Sequence, residues 1–467
     1  MHGRLCAMIA LLLLVIGCTK TLPIDPQKPV PTPVPLPSPS VNSLPPWPFP
    51  SADMPKRLYQ RALAYDQATQ KVHLPNGLIV DIRYTDNTRQ TVAAHQGHGD
   101  QAFNTGSYLA AEAFRYSVTG DATSADNLKR LLQAVHRLIH ISDVPGLLCR
   151  GLWKSGDPGT TNSGDHVYAG DGDNAGYYYM TDPSGDQYTS IFFGLGVAYD
   201  SVQDPQLKVL IRQDVADMAN FLWNNGLKMI DKDGQVSQFG DLNAPPFQGF
   251  NAMIDLNFFQ LAAHITGDSH FQDDYNELAN HRFYAQYVGA LISGIADVTS
   301  YFNYNMAGMN LYHLLRLNND SNGSMYQMGF DYGWWRWISG DKQSFFNFIY
   351  ASARGGDDKD QAIADGIDTL VYYPEQLPVN FPKVDLSTQA WLVDYQDPFW
   401  GVRQALGRSP VAKFPLPPGF GPPTDYRWQR DPRETVGGND SDYTEYPGSD
   451  YMLAYWMGRH YGYIPAP

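Results

Sequence analysis

Hydrophobic positions along this chain fall in blocks with helical spacing, each closed by a short polar turn. In GSYLAAEAFRYSV, residues 106–118, Tyr108, Ala111, Phe114 and Arg115 recur at the interval of one helix face. That block stops at Thr119-Gly120-Asp121, and a second helical pattern runs over residues 125–140. Residues 258–265 stop at Thr266-Gly267-Asp268, residues 311–317 at Asn318-Asn319-Asp320, and residues 334–338 at Ser339-Gly340-Asp341. A Gly or Asn tolerates the left-handed C-cap conformation, and the Asp or Ser behind it caps the next helix. The repeating unit is helix, short turn, helix, at uneven spacing. No Gly-rich phosphate loop, Cys-x-x-Cys pair or alternation of strand with helix interrupts it. An all-α fold is expected, with long inserted loops such as residues 151–182, rich in Gly, Asp and Tyr. Loops of that length on a rigid scaffold tend to hold function.

The first fifty residues follow another pattern. MHGR is short and basic, and the apolar run over residues 5–16 is too short to span a bilayer comfortably. It ends in Val15-Ile16-Gly17-Cys18, which resembles a bacterial lipobox, where cleavage before Cys18 leaves that residue as the lipidated N-terminus. Residues 1–17 are thus expected to be a lipoprotein signal peptide. Thr19 in place of an Asp favours, by the same resemblance, the outer membrane. Residues 22–50 are Pro-rich, favour extended polyproline conformations and cannot pack a core. Residues 18–51 therefore read as a stiff tether, and residues 52–467 as the folded domain. A cell-envelope protein anchored to the membrane by lipid, on its periplasmic or surface face, is the expectation.

Composition narrows the partners. Of three cysteines, Cys6 leaves with the signal peptide and Cys18 carries lipid, so Cys149 alone remains and no internal disulfide forms in the mature chain. A formal net charge of −15 without a basic cluster argues against nucleic acid. Aromatics reach 13%, with 30 Tyr and 10 Trp, side chains whose flat faces suit sugar rings as well as cores. A monomer is expected.

Several stretches carry a resemblance: GDQAFNTGSYLAAEAFRYSVTGD, VPGLLCRG, DPSGDQYTSIFFGLGVAYD, IDKDGQVSQFGDL and GSDYMLAYWMGRHYGYI. Together they resemble bacterial lipoproteins of the six-hairpin glycosidase superfamily, over most of residues 81–464. The resemblance implies an (α/α)6-type toroid and a glycan ligand. The superfamily includes glycoside hydrolases, polysaccharide lyases and sugar epimerases, so it supports the fold more strongly than one reaction.

Candidate chemistry gathers before the helices. YYYMTDPSGDQY, residues 177–188, places Asp182 and Asp186 four apart among Tyr178, Tyr188 and two other tyrosines. If Ser184 opens a helix, Asp186 lies in its first turn, where the helix dipole also favours an acid. Paired carboxylates would hydrolyse a glycoside, one as acid and one kept ionised. His95, His98 and Asp100 form a second cluster before the first helix, suited to a general base or to a substrate contact. Arg150 would hold a uronate carboxylate. Tyr304, beside Asn303, would pair with His98 in a lyase of the type the resemblance includes. Trp335 would stack on a sugar. No metal site is expected from His95 and His98. Asp171-Gly172-Asp173 resembles the start of a Ca²⁺ loop with Asp182 at its twelfth position, but Ala175 holds its fifth and the bidentate Glu is missing; otherwise no cofactor is expected. Three readings stay open: a hydrolase using Asp182 and Asp186, a lyase using His98 and Tyr304, and a glycan-binding lipoprotein without turnover.

Overall fold

The computed structural model describes residues 47–467 apart from 247, 292–299, 354–356 and 441–442. The signal peptide, Cys18 and most of the tether lie outside the described residues. Among the described residues, thirteen helices build the ring and its outer layer. In chain order they are α1 (Met54–Ala68), α2 (Gln101–Thr119), α3 (Ala122–His140), α4 (Gly185–Ser201), α5 (Pro205–Asn224), α6 (Gly249–Thr266), α7 (Ser269–Asn276), α8 (Tyr284–Leu291), α9 (Phe302–Leu317), α10 (Gly323–Met328), α11 (Ser344–Ala353), α12 (Asp357–Val371) and α13 (Ser449–His460).

Six of them form an inner ring. Helix α2 packs on α4, α4 on α6, α6 on α9, α9 on α11, α11 on α13, and α13 back on α2. Each inner helix has an outer partner: α3, α5, α7 with α8, α10 and α12 follow theirs, and α1 lies against α13. The result is the expected (α/α)6 toroid. Composition explains which helix goes where. Helices α4 and α6 are buried nearly all round, consistent with apolar residues on every face. Helix α3 is amphipathic and buries only the stripe Leu128, Leu131, Leu132, Val135, Leu138 and Ile139.

The turns behave as their chemistry predicts. Gly120 and Gly267 adopt φ of +60° and +72° at the C-caps of α2 and α6. Asp121 accepts from Ser124 N at 2.7 Å and Asp268 from His270 N at 3.0 Å, capping α3 and α7. The Ser339-Gly340-Asp341 turn departs from this pattern: Lys342 takes the left-handed conformation, and buried Asp341 accepts from Tyr301 Oη at 3.0 Å.

Because each inner helix but the last is followed by an outer return, and α1 supplies the outer layer for α13, the six inner helices run the same way and their N-termini share one face. The long connections precede the inner helices and gather there. They are not bare loops. Strand β1 (Asp81–Tyr84) pairs with β2 (Val92–Gln96) and with β8 (Thr444–Glu445), tying the two ends of the domain. Residues 151–182, expected to be loop, fold as an antiparallel sheet of β3 (Gly151–Lys154), β4 (Val167–Ala169) and β5 (Tyr177–Met180) in order 3-5-4. The tyrosine run is thus a strand: Tyr179 enters the core, while half-buried Tyr177 takes Arg137 over its ring at 5.0 Å. Strands β6 (Lys228–Ile230) and β7 (Val236–Asp241) make a further hairpin.

Helices α2 and α4 touch backbone to backbone. A Cβ on Gly106 would lie 2.4 Å from the Ser190 carbonyl, and one on Gly194 would lie 2.5 Å from the Gly106 oxygen. Ser107 and Ser190 join their hydroxyls across the seam at 3.2 Å. Outside it, Arg115 of α2 holds Asp66 of α1 at 2.6 Å, with Tyr108 Oη donating to the same carboxylate at 2.5 Å. Gly106→Ala is expected to lower the unfolding free energy by about 1–3 kcal/mol through overpacking. Urea denaturation followed by circular dichroism checks this, with unchanged native helix content.

Candidate active site at the mouth of the ring

The N-termini of α2 and α4 bring two carboxylates to one place. Asp100 closes the His98–Asp100 turn and stands at the N-cap of α2. Asp186 lies in the first turn of α4, behind a capping box in which Ser184 N donates to Gln187 Oε1 at 2.8 Å. Ser184 Oγ donates to Asp186 Oδ1 at 2.5 Å. The Asp100 side chain keeps 64% of its surface open. Its carboxyl is nonetheless raised above the usual carboxylate range, by the surrounding protein first, then by the charge of Asp186, with Arg150 opposing and Asp425 adding. The carboxyl is thus open to solvent with other charged groups close around it. Asp81 on β1 is raised further, by burial and then by Asp425 and Asp100. Asp186, Asp425 and Asp81, from three other segments, therefore lie near Asp100, with Arg150 as the cation acting on it.

Arg150 is mainly a brace. Its Nε donates to Gly99 O at 2.7 Å and its guanidinium to Asp182 O at 3.1 Å, while Asp100 Oδ1 lies 3.6 Å away. Gln187 Nε2 also donates to Gly99 O, at 3.1 Å. The turn carrying Asp100 is thereby tied to the start of α4.

Beside Asp100, the His98 ring meets Trp153 edge-on at 5.0 Å. Burial pushes His98 down to about 4, so its imidazole is neutral at pH 7. His95 sits on β2 opposite Ile82, and its Nδ1 is buried with no partner among the described residues. Half-buried Tyr178 faces Trp153 across the β3–β5 ladder.

Other expected residues are placed elsewhere. Asp182 takes φ +61° and its Oδ1 accepts from Gln238 N at 2.8 Å, so its carboxylate caps the β6–β7 hairpin. Tyr188 is fully buried, its hydroxyl taking Leu148 N–H at 3.2 Å, and so is core and not a surface for substrate. Tyr304 is 1% exposed and packed against Tyr301 in the ring wall, so its ring is core and not a surface for substrate. Asn303, half-buried in the first turn of α9, donates its N–H to Ser300 O. Trp335 stacks on Tyr350 of α11 at 4.0 Å, toward the C-terminal half of that helix and away from the mouth. Asp171 and Asp173 are exposed on a turn, and the Asp182 carboxylate that would complete a Ca²⁺ loop is directed at Gln238 instead.

Three acidic residues came without warning. Asp81 opens the short strand β1, and Asp425 and Glu434 sit in irregular segments, so no periodicity marks any of them. Asp425 lines a groove of about 290 Å³ that also holds Arg408, Arg430, Asp431, Glu434 and Tyr446. Burial and then Asp431 push Glu434 up to about 7. The groove thus leads from a near-neutral carboxyl to the carboxylate that acts on Asp100.

No family model matches the chain, and no curated protein is similar to it. Among solved structures it is similar to a sugar epimerase from a ruminal bacterium, at 12% identity over 87% of this chain and 99% of that one, with a TM-score of 0.46. It is similar to a cellulase of C. cellulolyticum at 11% identity, over 87% and 98%, TM-score 0.42. A type II terpene cyclase from Scytonema follows at 10% identity, over 90% and 100%, TM-score 0.40. These are three different activities, and what this mouth does rests on its own residues.

Arg150→Gln is expected to cost about 1.5–3 kcal/mol of stability, the worth of hydrogen bonds to a charged group. Denaturant unfolding of the variant checks it; an unchanged midpoint would remove the brace.

Proposed function

We propose that this chain is a glycan-active enzyme working by hydrolysis, with Asp100 as proton donor and Asp186 as the partner carboxylate. The observation that carries this reading is the meeting of these two acids at the open mouth, with Asp100 raised by its surroundings and by Asp186. A carboxyl raised above the usual range keeps its proton to higher pH and can give it to a glycosidic oxygen as the bond breaks. Asp186 then acts on the sugar carbon, directly or through water. Half-buried His98 beside Asp100 and half-buried Tyr446 in the adjoining groove supply ring edges and faces that suit sugars, with buried Trp153 and Phe381 packed behind them. This moves the acid pair expected from Asp182 and Asp186 to Asp100 and Asp186. The lyase reading loses its tyrosine to the ring wall.

Asp100→Asn and Asp186→Asn are each expected to reduce turnover by about 10²–10⁴-fold. Asp182→Asn should keep most of it, since that carboxylate caps a hairpin. Reducing-end release from a panel of neutral and acidic glycans is the measurement. An ultraviolet-absorbing unsaturated product would overturn hydrolysis, and glycan retention without product would support a binding protein instead. The pH dependence has a defined sign. A proton donor fails as pH rises through its raised pKa, so Asp100 sets an alkaline limb. Asp425 raises that pKa, so Asp425→Asn should move the limb to lower pH, read from kcat/KM against pH.

We further propose that Cys18 carries lipid and places the enzyme on the outer membrane, the Pro-rich segment lifting the ring from the surface. Cys18→Ala should shift the protein from the membrane to the soluble fraction, seen by fractionation of expressing cells. An unchanged distribution would sink the anchor.

A further inference from the structure

A second constellation lies in the outer layer. His136 and His140 are one turn apart on α3, so their imidazoles project from one face, with ring centroids 4.3 Å apart. Both point at α5. His136 Nδ1 lies 2.5 Å, and His140 Nε2 3.0 Å, from the same oxygen of Asp214, its Oδ1. One turn further along α5, Asp217 Oδ2 lies 3.8 Å from His140 Nε2. The donor atoms of His136, His140 and Asp214 lie within 4.8 Å of one another.

Asp214 supplies the independent observation. Its side chain is fully buried, yet its second oxygen, Oδ2, has no hydrogen-bond partner among the described residues. A buried carboxylate oxygen left bare is costly. An ion pair with the two histidines explains one oxygen and leaves the other unexplained. A cation among the three side chains would engage the carboxylate that the imidazoles satisfy only in part. The charges agree: two neutral imidazoles and two carboxylates offer −2, which a divalent ion neutralises.

We propose that His136, His140 and Asp214, with Asp217 beside them, bind a divalent transition-metal ion of the zinc class. Two imidazoles with carboxylate oxygens suit zinc, cobalt or nickel, whereas calcium and magnesium prefer oxygen alone. The histidine side chains are 31% and 25% exposed, which leaves the ion a way in. On binding, each neutral imidazole carries its single proton on the ring nitrogen that faces away from Asp214, so that the nitrogen facing Asp214 presents its lone pair to the metal. The site is structural. It ties the C-terminal end of α3 to α5, and α3 hands the chain to the segment that carries Arg150.

The test uses full-length protein stripped with chelator and titrated with Co²⁺, then Zn²⁺. One Co²⁺ per chain is expected, with the intense visible absorption of a four- or five-coordinate ion, displaced by Zn²⁺. Zn²⁺ should raise the unfolding temperature in a concentration-dependent way. His136→Gln and His140→Gln should each weaken binding at least about tenfold and remove that rise, with circular dichroism confirming the fold. A cobalt spectrum of the hydrated ion alone would overturn the site and leave Asp214 as an ion-pair partner. So would equal binding by wild type and both variants.

Discussion

The structure turns on one close approach, the backbone contact of α2 and α4 through Gly106 and Gly194. No side chain fits between the helices there, so their axes are held nearer than ordinary packing allows. Asp100 stands at the start of one helix and Asp186 at the start of the other. The seam therefore sets how near the two carboxylates come, and through that distance how strongly each resists the charge of its neighbour. Rigid helices transmit the constraint from the ring wall to the mouth.

The connections complete what the seam begins. Arg150 and Gln187 both seize the Gly99 carbonyl, locking the Asp100 turn to the start of α4. The pairing of β1 with β8 ties the segment before α2 to the segment before α13. Asp425 comes to the mouth from that last long segment and adds its charge to Asp81 and Asp100. The mouth is acidic because four segments each contribute one carboxylate, and not because any one of them is rich in acid.

Inside the ring, the inner helices are too apolar to face water and carry few polar groups. Some are paired with each other, Asn257 donating to Asn310 at 2.7 Å and Asn310 to Thr189 at 3.2 Å, whereas both side-chain polar atoms of Asp255 and of Asn305 are buried without a partner among the described residues. Such pairing keeps buried amides from becoming a penalty. The outer helices present charge outward and bury one stripe. Between two of them, His136, His140 and Asp214 break this division by drawing a carboxylate fully inside.

Much of this was legible along the chain. Helix ends at Gly120 and Gly267, the caps at Asp121 and Asp268, and the opening of α4 at Ser184 follow from local backbone and hydrogen-bond chemistry, which acts within a few residues. The apolar blocks implied helices in pairs, and the ring followed from the family resemblance of whole stretches of the chain. The mouth was only half visible. Asp100 and Asp186 both stand out in the sequence, but spacing along the chain points to the nearer Asp182 as the partner of Asp186, because sequence spacing is a poor guide to distance across a fold. The left-handed turn at Asp182 sends that carboxylate to Gln238, and the α2–α4 seam brings Asp100 in from more than eighty residues away. The tyrosine run read as loop became a strand once a sheet formed around it. Local propensity decides where helices start and stop. Which acids meet is decided by close packing, a property of the whole ring that no short stretch contains.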